Sequence, residues 1–215
     1  YSKAYHTISS KSKLSSKYTT QLIIKLSKAC VEICEGQVDD IKLAENKRIP
    51  TESEYIKMIE KKTAVLFEVS CAMGAISAKK STKDVKNLSV FGRNLGIAFQ
   101  ITDDLIGIMG DTKVTGKAVG NDIREGKKSL PILLAIRKAR GSDKKKILRV
   151  FGKSNATRTQ INEVVDIIRS LGIEDTVRKQ ALRYANCATN ALNKYSGIHK
   201  SDLISLLDFV VKRSV

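Results

Sequence analysis

One short stretch of this 215-residue sequence places an amide beside two adjacent carboxylates: Phe99-Gln100-Ile101-Thr102-Asp103-Asp104. On a helix, Gln100, Asp103 and Asp104 stand at positions i, i+3 and i+4, so their side chains project from one face. Carboxylate oxygens suit Mg²⁺, which binds through one or two carboxylates and takes substrate phosphates as further ligands. The spacing therefore predicts a helix face that binds a metal-bound diphosphate.

A segment rich in lysine and glycine follows, from Thr115 to Ser129. Lys117 and Lys127 in this segment would hold phosphate oxygens that the metal does not reach. At about 4 Å, a unit charge pair is worth roughly 4 kcal/mol at the effective dielectric of a protein surface, so these lysines would strengthen polyanion binding. An isolated Asp-Asp pair would more often be an ordinary solvated helix turn. The ordered motifs FQxxDD, GK and GxDxxEGK favour the binding site instead.

The motifs resemble those of trans-isoprenyl diphosphate synthases, most closely the archaeal-type enzymes that make farnesyl or geranylgeranyl diphosphate. Residues 35–40, EGQVDD, resemble the family's EGQxxD segment, and Lys62-Thr63 resembles its KT pair. The stretch from Phe99 to Gly107 resembles the family's second Asp-rich motif, which usually reads DDxxD. Gly107 replaces the third aspartate, as in some archaeal-type members, and this removes one possible metal ligand.

The resemblance implies a Mg²⁺-dependent prenyltransferase that condenses isopentenyl diphosphate with dimethylallyl, geranyl or farnesyl diphosphate. The implied catalytic residues are Lys62, Thr63, Gln100, Asp103 and Asp104, of which the two aspartates bind the metal. The implied substrate-binding residues are Gln37, Lys62, Phe99, Lys117 and Lys127. Gln100, the Thr63 hydroxyl and the Lys62 carbonyl would face an allylic carbocation, and Phe99 would line the isopentenyl side.

Simpler roles remain open for several of these residues. Gln37 and Thr63 would also suit the helix surface or core hydrogen bonds, and Phe99 would suit plain core packing. Asp40 is undecided between site and surface, while Asp122 and Lys128 would also serve to shape or solvate their loop. At the level of function, two alternatives remain: a noncatalytic or regulatory homologue that binds diphosphates or a partner synthase, and a basic interaction module.

The family's first Asp-rich motif, and a lysine and arginines that hold isopentenyl diphosphate, normally precede the EGQ segment. The sequence contains neither upstream of Glu35, and its first five residues resemble the helix that follows the first motif. We therefore interpret residues 1–215 as the C-terminal part of a longer synthase. We expect these residues alone to be inactive in condensation.

Composition argues against other classes of function. The formal net charge is +17, but the lysines are scattered and aromatic residues make up only 5% of the chain, so we expect no nucleic-acid partner. No apolar run reaches membrane-spanning length, and the spacing of Cys30 and Cys34 is typical of core-facing residues in a reducing cytoplasm. The resemblance adds a homodimer and a cytoplasmic location.

Helical periodicity dominates the sequence and predicts one all-α domain over 1–215. A long helix runs from Lys17 to about Ala44, a capping box at Thr51–Glu54 begins a second that reaches about Ala78, and Ser81–Asp84 begins a third that carries the aspartates. Pro131 fits the first turn of the next helix. Further helices are predicted at Gln160–Leu171, Asp175–Tyr195 and Ser201–Lys212. The resemblance implies an isoprenoid-synthase-type helical bundle around a central cavity.

Overall fold

A computed structural model describes residues 1–10, 13–46, 48–110 and 120–213. Every regular element in these ranges is a helix, which confirms the all-α prediction. The elements are α1 (Ser2–Ser10), α2 (Ser16–Glu45), α3 (Glu52–Ile59), a π-helical turn (Glu60–Ala64), α4 (Val65–Ser77), α5 (Thr82–Met109), α6 (Asn121–Glu125), α7 (Leu130–Lys138), α8 (Gly141–Val150), α9 (Arg158–Ser170), α10 (Ile173–Ala191) and α11 (Ile198–Lys212).

The predicted helix starts are confirmed by their caps. At the start of α3, Thr51 Oγ1 accepts a hydrogen bond from the Glu54 backbone N–H at 3.1 Å, and Glu54 Oε2 accepts one from the Thr51 N–H at 2.8 Å. At the start of α5, Ser81 Oγ accepts a bond from the Asp84 N–H at 3.2 Å. These local bonds satisfy amide groups that have no partner within their own helix, so the sequence fixes both starts.

Three local expectations differ from the structure. The helix predicted from Thr51 to Ala78 is interrupted by the π-helical turn at Glu60–Ala64. The turn residues Gly141 and Ser142 predict a solvated loop around residues 144–146, but these residues lie in α8. Ile147 and Val150 of this helix are buried, and only the middle lysine of the three is exposed. Cys34, expected to face the core, is exposed because α2 buries a different face.

Helix α5 lies at the centre of the fold and contacts α4 and α10 most extensively. Two glycines allow α4 and the π turn to approach it closely. A Cβ atom at Gly92 would lie 2.5 Å from the Phe67 carbonyl oxygen, and one at Gly96 would lie 2.6 Å from Ala64 Cα. The four-residue spacing of Gly92 and Gly96 in the sequence predicts close packing by a neighbouring helix, and these two contacts confirm it. They hold the π turn against the part of α5 that precedes the aspartates.

The largest apolar cluster packs α5 against α3, α7, α8, α9 and α10, and it includes Ile101, Leu105 and Ile108 from α5. A second cluster packs the first half of α5 against α10 and α11. Within the described ranges, no helix carries an apolar stretch long enough to cross a membrane.

Candidate active site

Asp104 of α5 is the most completely bonded polar side chain of the candidate site. Its Oδ2 atom accepts a hydrogen bond from the Tyr55 hydroxyl at 2.7 Å. Its Oδ1 atom accepts one from Gln100 Nε2 at 2.8 Å and one from Lys127 Nζ at 2.8 Å. Only 1% of the residue is exposed. Both oxygens are therefore occupied by protein donors.

Asp103, the preceding residue, has a different environment. It is half-buried, and its carboxylate accepts no hydrogen bond from another described residue. The sequence predicted that both aspartates share one ligand. The structure buries Asp104 and leaves Asp103 half-buried. Metal binding by the two aspartates stays a prediction.

The π-helical turn carries Lys62 and Thr63. Thr63 Oγ1 donates to Gln100 Oε1 at 2.9 Å, so the amide of Gln100 bridges Thr63 and Asp104. Each end of that amide has one partner, which fixes its orientation. Turns of the π type inside α-helices are frequent at functional sites, because the extra residue redirects side chains that a regular helix would present elsewhere.

The acidic residues of α2 pair with the two consecutive lysines of the π turn. Lys61 Nζ lies 3.2 Å from Asp39 Oδ2 and 3.3 Å from Glu35 Oε2. Lys62 Nζ lies 2.5 Å from Asp40 Oδ2. Asp40, undecided from sequence, therefore pairs with the Lys62 side chain.

Gly36 sets the contact between α2 and the π turn. It is buried, and a Cβ atom there would lie 2.3 Å from the Lys62 backbone nitrogen. Gln37, the next residue, is exposed and bonds to none of the described site residues. The α2 face that contacts the π turn carries Gly36 and Asp40. Substrate binding by Gln37 is implied by the motif alone and stays a prediction.

Lys127 returns to the site from the chain after α6. Gly126 ends α6 with a left-handed backbone, φ +70°, which favours glycine and turns the chain back toward α5. Lys127 Nζ also lies 3.4 Å from Asp122 Oδ2. Burial lowers the pKa of Lys127, but Asp104 and Asp122 outweigh burial and raise the pKa above its ordinary value. The lysine thus stays charged.

Asp122 lies directly over Gly107. A Cβ atom at position 107 would be 2.8 Å from Asp122 Oδ2, an oxygen that is buried and accepts no hydrogen bond among the described residues. Burial raises the pKa of Asp122 above its ordinary value, and the charge of Lys127 opposes that shift. Glycine at 107 therefore leaves room for a carboxylate that comes from α6.

Lys128 lines the same cleft as Lys127 but does not bond to Asp104. Its Nζ atom donates to the Leu43 carbonyl at 2.6 Å, to the Arg48 carbonyl at 3.2 Å and to the Asn46 carbonyl. Burial, followed by the positive charge of Arg48, lowers its pKa. Lys128 thus caps the C-terminal end of α2, and nothing in the local sequence predicted a partner so far away along the chain.

Phe99 lies on another side of α5. Its ring centroid is 5.3 Å from that of Phe67, and the Arg213 guanidinium lies 4.6 Å above the ring. Phe99 therefore faces α4 and the end of α11, away from the carboxylates. Lys117, the remaining predicted phosphate ligand, lies outside the described residues.

A cleft of about 570 Å³ lies between the end of α2, the π turn and the chain around α6. Its volume is within the usual range for small-molecule sites. The charged groups that line it are Asp40, Lys62, Asp122, Glu125, Lys127 and Lys128. A cleft lined by both lysines and carboxylates suits an anionic ligand that carries a bound metal cation.

Magnesium fits this arrangement only as an ion shared with a ligand. The described residues contain no group of three or more His, Cys, Asp or Glu side chains that would hold a metal alone. Asp103 offers carboxylate oxygens that no described residue bonds. Because Mg²⁺ keeps several waters and is commonly held by one or two carboxylates plus substrate phosphates, a carboxylate such as that of Asp103 is compatible with it.

Comparison with known proteins agrees with the motifs. The sequence model of the family described as polyprenyl synthetase matches residues 1–168. A short chain isoprenyl diphosphate synthase from Methanocaldococcus jannaschii is 36% identical over 170 residues, which are 79% of this chain and 50% of that protein.

Two solved structures resemble most of the chain. The crystal structure of a geranylgeranyl pyrophosphate synthetase from Pyrococcus horikoshii has a TM-score of 0.89 and 34% identity, with 99% of this chain and 64% of that chain covered. A geranylgeranyl pyrophosphate synthase from Corynebacterium glutamicum, complexed with isoprenyl diphosphate and magnesium, has a TM-score of 0.85 and 26% identity, with coverage of 93% and 57%. The present chain thus spans between half and two thirds of the length of these proteins.

Proposed function

Because the chain belongs to the polyprenyl synthetase family, we propose that the whole protein is a trans-prenyltransferase that condenses isopentenyl diphosphate with an allylic diphosphate. One observation carries the proposal. A continuous chain of hydrogen bonds joins Thr63, Gln100, Asp104 and Lys127, which come from three separate sequence motifs. Such a set, beside Lys62, provides positive charge and oriented dipoles with no nucleophile among them, which is what an ionisation reaction requires.

The proposed reaction begins with cleavage of the carbon–oxygen bond to the allylic diphosphate. The isopentenyl double bond attacks the resulting allylic carbocation. The released diphosphate then accepts a proton from the condensed cation, and the C–H bond electrons form the new alkene. Lys62 and Lys127 bind the departing diphosphate, and Lys117 is assigned the same role from the motif alone. Asp103 holds Mg²⁺, which when bound offsets negative charge on that diphosphate.

The polar groups around Gln100 have a second task in this proposal. The Thr63 hydroxyl donates a hydrogen bond to Gln100, so the lone pairs of the Thr63 oxygen stay available to face the allylic cation. Fixed dipoles of this kind stabilise a cation without reorganising during the reaction. Phe99 and Gln37 keep their proposed places on the substrate side only through the resemblance, since neither bonds to the described cluster.

One observation favours the alternative of a noncatalytic, diphosphate-binding homologue. Asp104, one of the two aspartates assigned to the metal, is already bonded to three protein donors. A carboxylate held in this way is less available to a metal, which weakens ionisation more than it weakens diphosphate binding by the lysines. Turnover separates the two functions directly.

The decisive experiment expresses the product of the whole reading frame and assays labelled isopentenyl diphosphate with dimethylallyl, geranyl or farnesyl diphosphate and Mg²⁺. A Lys62→Met variant should lose about a hundredfold in kcat/KM, because one charged contact to the leaving group disappears. Lys146→Met is the matched control, since Lys146 forms a comparable ion pair with Glu163 at 2.8 Å on the surface. Wild-type protein that binds diphosphate but forms no product supports the noncatalytic alternative, and full activity of Lys62→Met contradicts the role of Lys62.

We also propose a homodimer, and α2 supplies a surface for it. Ile24, Val31 and Val38 are 61%, 58% and 47% exposed and recur every seven residues along one side of the helix. A heptad spacing of apolar residues is typical of helices that pack lengthwise against another helix. The first half of α2 carries only basic charges, and the second half is mainly acidic, so an antiparallel pair of α2 helices brings unlike charges together.

A Val31→Glu substitution should therefore convert the dimer to a monomer, because Val31 is the midpoint of the exposed stripe and its charge would meet its own copy. Light scattering coupled to size-exclusion chromatography measures the molar mass of the particle in solution. Val90→Glu, which changes a 41%-exposed valine on α5, is the control and should leave the mass unchanged. A monomeric wild type, or a Val31→Glu dimer, contradicts this interface.

A further inference from the structure

Tyr55 is the one aromatic residue among the described residues whose polar atom bonds to the candidate site. It lies on α3 with 1% of its surface exposed, and its hydroxyl donates to Asp104 Oδ2 at 2.7 Å across 49 residues of sequence. A buried hydroxyl is costly unless it is hydrogen-bonded, so phenylalanine would be the simpler residue if packing were the only requirement. The hydroxyl therefore has a role besides filling space.

The hydroxyl is fixed as a hydrogen-bond donor. An ionised carboxylate has no proton to donate, and the Tyr55 oxygen lies at hydrogen-bond distance from Asp104 Oδ2, 2.7 Å, inside the core. The phenol consequently keeps its proton, and the only role it can take toward a carboxylate oxygen is to donate.

The two oxygens of Asp104 have separate partners. Oδ2 is held by Tyr55, whereas Oδ1 accepts from both Gln100 and Lys127. Anchoring Oδ2 stops the carboxylate from rotating about its terminal bond. Oδ1 is thereby kept at the point where Gln100 and the Lys127 ammonium group meet.

The start of α3 is itself held in place, so Tyr55 is not a mobile anchor. The capping box precedes it by one residue, and Arg48 adds a bidentate ion pair to Glu54 of that box. From α7, Arg137 donates to the Pro50 carbonyl at 2.7 Å. These bonds fix the helix that carries Tyr55 against the helices around the site.

We propose that Tyr55 is a positioning residue that acts through Asp104 to orient Lys127 and Gln100 toward the diphosphate and the developing cation. The inference rests on the proposed function and assigns a residue that neither the motifs nor their spacing indicated. Tyr55 touches no substrate itself. Its effect passes through the carboxylate, so removing its hydroxyl should weaken the action of Lys127 without removing any charge from the site.

The test uses Tyr55→Phe in the product of the whole reading frame, because phenylalanine keeps the buried ring. Calorimetry with inorganic diphosphate and Mg²⁺ should show roughly tenfold weaker binding, which is the usual order of loss when a partner that orients a binding group is removed. In turnover, KM for the allylic diphosphate should rise, and KM for isopentenyl diphosphate should stay unchanged. Asp104→Asn, which keeps the shape of the carboxylate, should reproduce the loss.

The matched control is Tyr195→Phe. Tyr195 also donates to a carboxylate, Asp84 Oδ1 at 2.8 Å, but at the opposite end of α5. Thermal unfolding of both variants shows whether either hydroxyl contributes only to stability. Tyr195→Phe should leave diphosphate binding at the wild-type value.

A double-mutant cycle with Lys127→Met separates positioning from stability. If Tyr55 acts through Asp104 on Lys127, then Tyr55→Phe has little further effect once Lys127 is gone. Additive losses, or normal binding by Tyr55→Phe, overturn the inference. If the wild-type protein binds diphosphate without turnover while the cycle shows a non-additive loss for Tyr55→Phe, that result overturns the proposed function but supports the role of Tyr55. If the wild-type protein binds no diphosphate, both the proposed function and the role of Tyr55 are overturned.

Discussion

Asp103→Asn is expected to abolish most of the Mg²⁺-dependent condensation activity, with a loss of about a hundredfold or more, while the protein keeps its thermal stability. The carboxylate of Asp103 accepts no hydrogen bond from a described residue, so its charge does little for the fold. Asparagine has nearly the same shape but offers Mg²⁺ a single neutral oxygen. Loss of a metal ligand next to the leaving group removes stabilisation from the transition state, and each 1.36 kcal/mol lost costs about tenfold in rate.

The same substitution at Asp104 should behave differently. Asp104→Asn removes the ion pair with Lys127 and disturbs three hydrogen bonds to a carboxylate that is 1% exposed, so the melting temperature should fall together with the activity. Lys127 keeps Asp122 as a second partner and is partly exposed, which moderates that loss.

Steady-state assays across a Mg²⁺ titration and calorimetric unfolding distinguish the two aspartates. Asp208→Asn is the control, because Asp208 pairs with Lys212 on the exposed side of α11. Wild-type turnover by Asp103→Asn would show that the metal is held elsewhere. An equal loss of melting temperature in both variants would show that Asp103, too, serves the fold.

Helix starts are predictable from sequence because the interactions that create them are local. Thr51 and Ser81 bond to backbone groups three residues away, and the apolar spacing of each helix repeats within a few turns. The π-helical interruption at Glu60–Ala64 is not predictable from sequence in the same way. A π turn inserts one residue without changing the pattern of residue types enough to reveal it, so its side chains rotate relative to the helix that the sequence predicts.

Gln100, Asp103 and Asp104 lie on α5 as the spacing predicts, but the spacing does not predict that Asp104 is buried while Asp103 is half-buried. Spacing places residues on one side of a helix and says nothing about how deep each one lies. The depth of Asp104 depends on Tyr55, which is 49 residues away, and on Lys127, which is 23 residues away. Both contacts require the tertiary fold.

The lysines show the same limit. Lys127 and Lys128 are neighbours in a segment that predicts phosphate binding, yet only Lys127 reaches Asp104. Lys128 donates to carbonyls at the end of α2, more than 80 residues earlier. The sequence shows that both residues are cationic. The turn at Gly126 determines that Lys127, and not Lys128, contacts Asp104.

Gly36→Ala should cause the largest loss of stability among single substitutions at the contact between α2 and the π turn. The added Cβ would lie 2.3 Å from Lys62 N, 2.7 Å from Lys61 C and 2.7 Å from Lys62 Cα. All three are backbone atoms, so no change of rotamer relieves the overlap and α2 must move away. That movement lengthens the pairs of Asp40 with Lys62 and of Asp39 with Lys61.

Intrinsic helix propensity predicts the opposite sign, since alanine is favoured over glycine by about 1 kcal/mol inside a helix. Overpacking against rigid neighbours costs about 1–3 kcal/mol and occasionally more, so the clash should outweigh propensity.

Gly74→Ala in α4 is the matched control, because a Cβ atom there meets nothing within 4 Å, and it should stabilise the protein by about 0.5–1 kcal/mol. Urea denaturation of both variants gives the free energies of unfolding, and diphosphate calorimetry reports on Lys62. A Gly36→Ala protein at least as stable as the wild type would mean that α2 does not cross the π turn at this distance, and the assignment of Asp40 as the partner of Lys62 would fail with it.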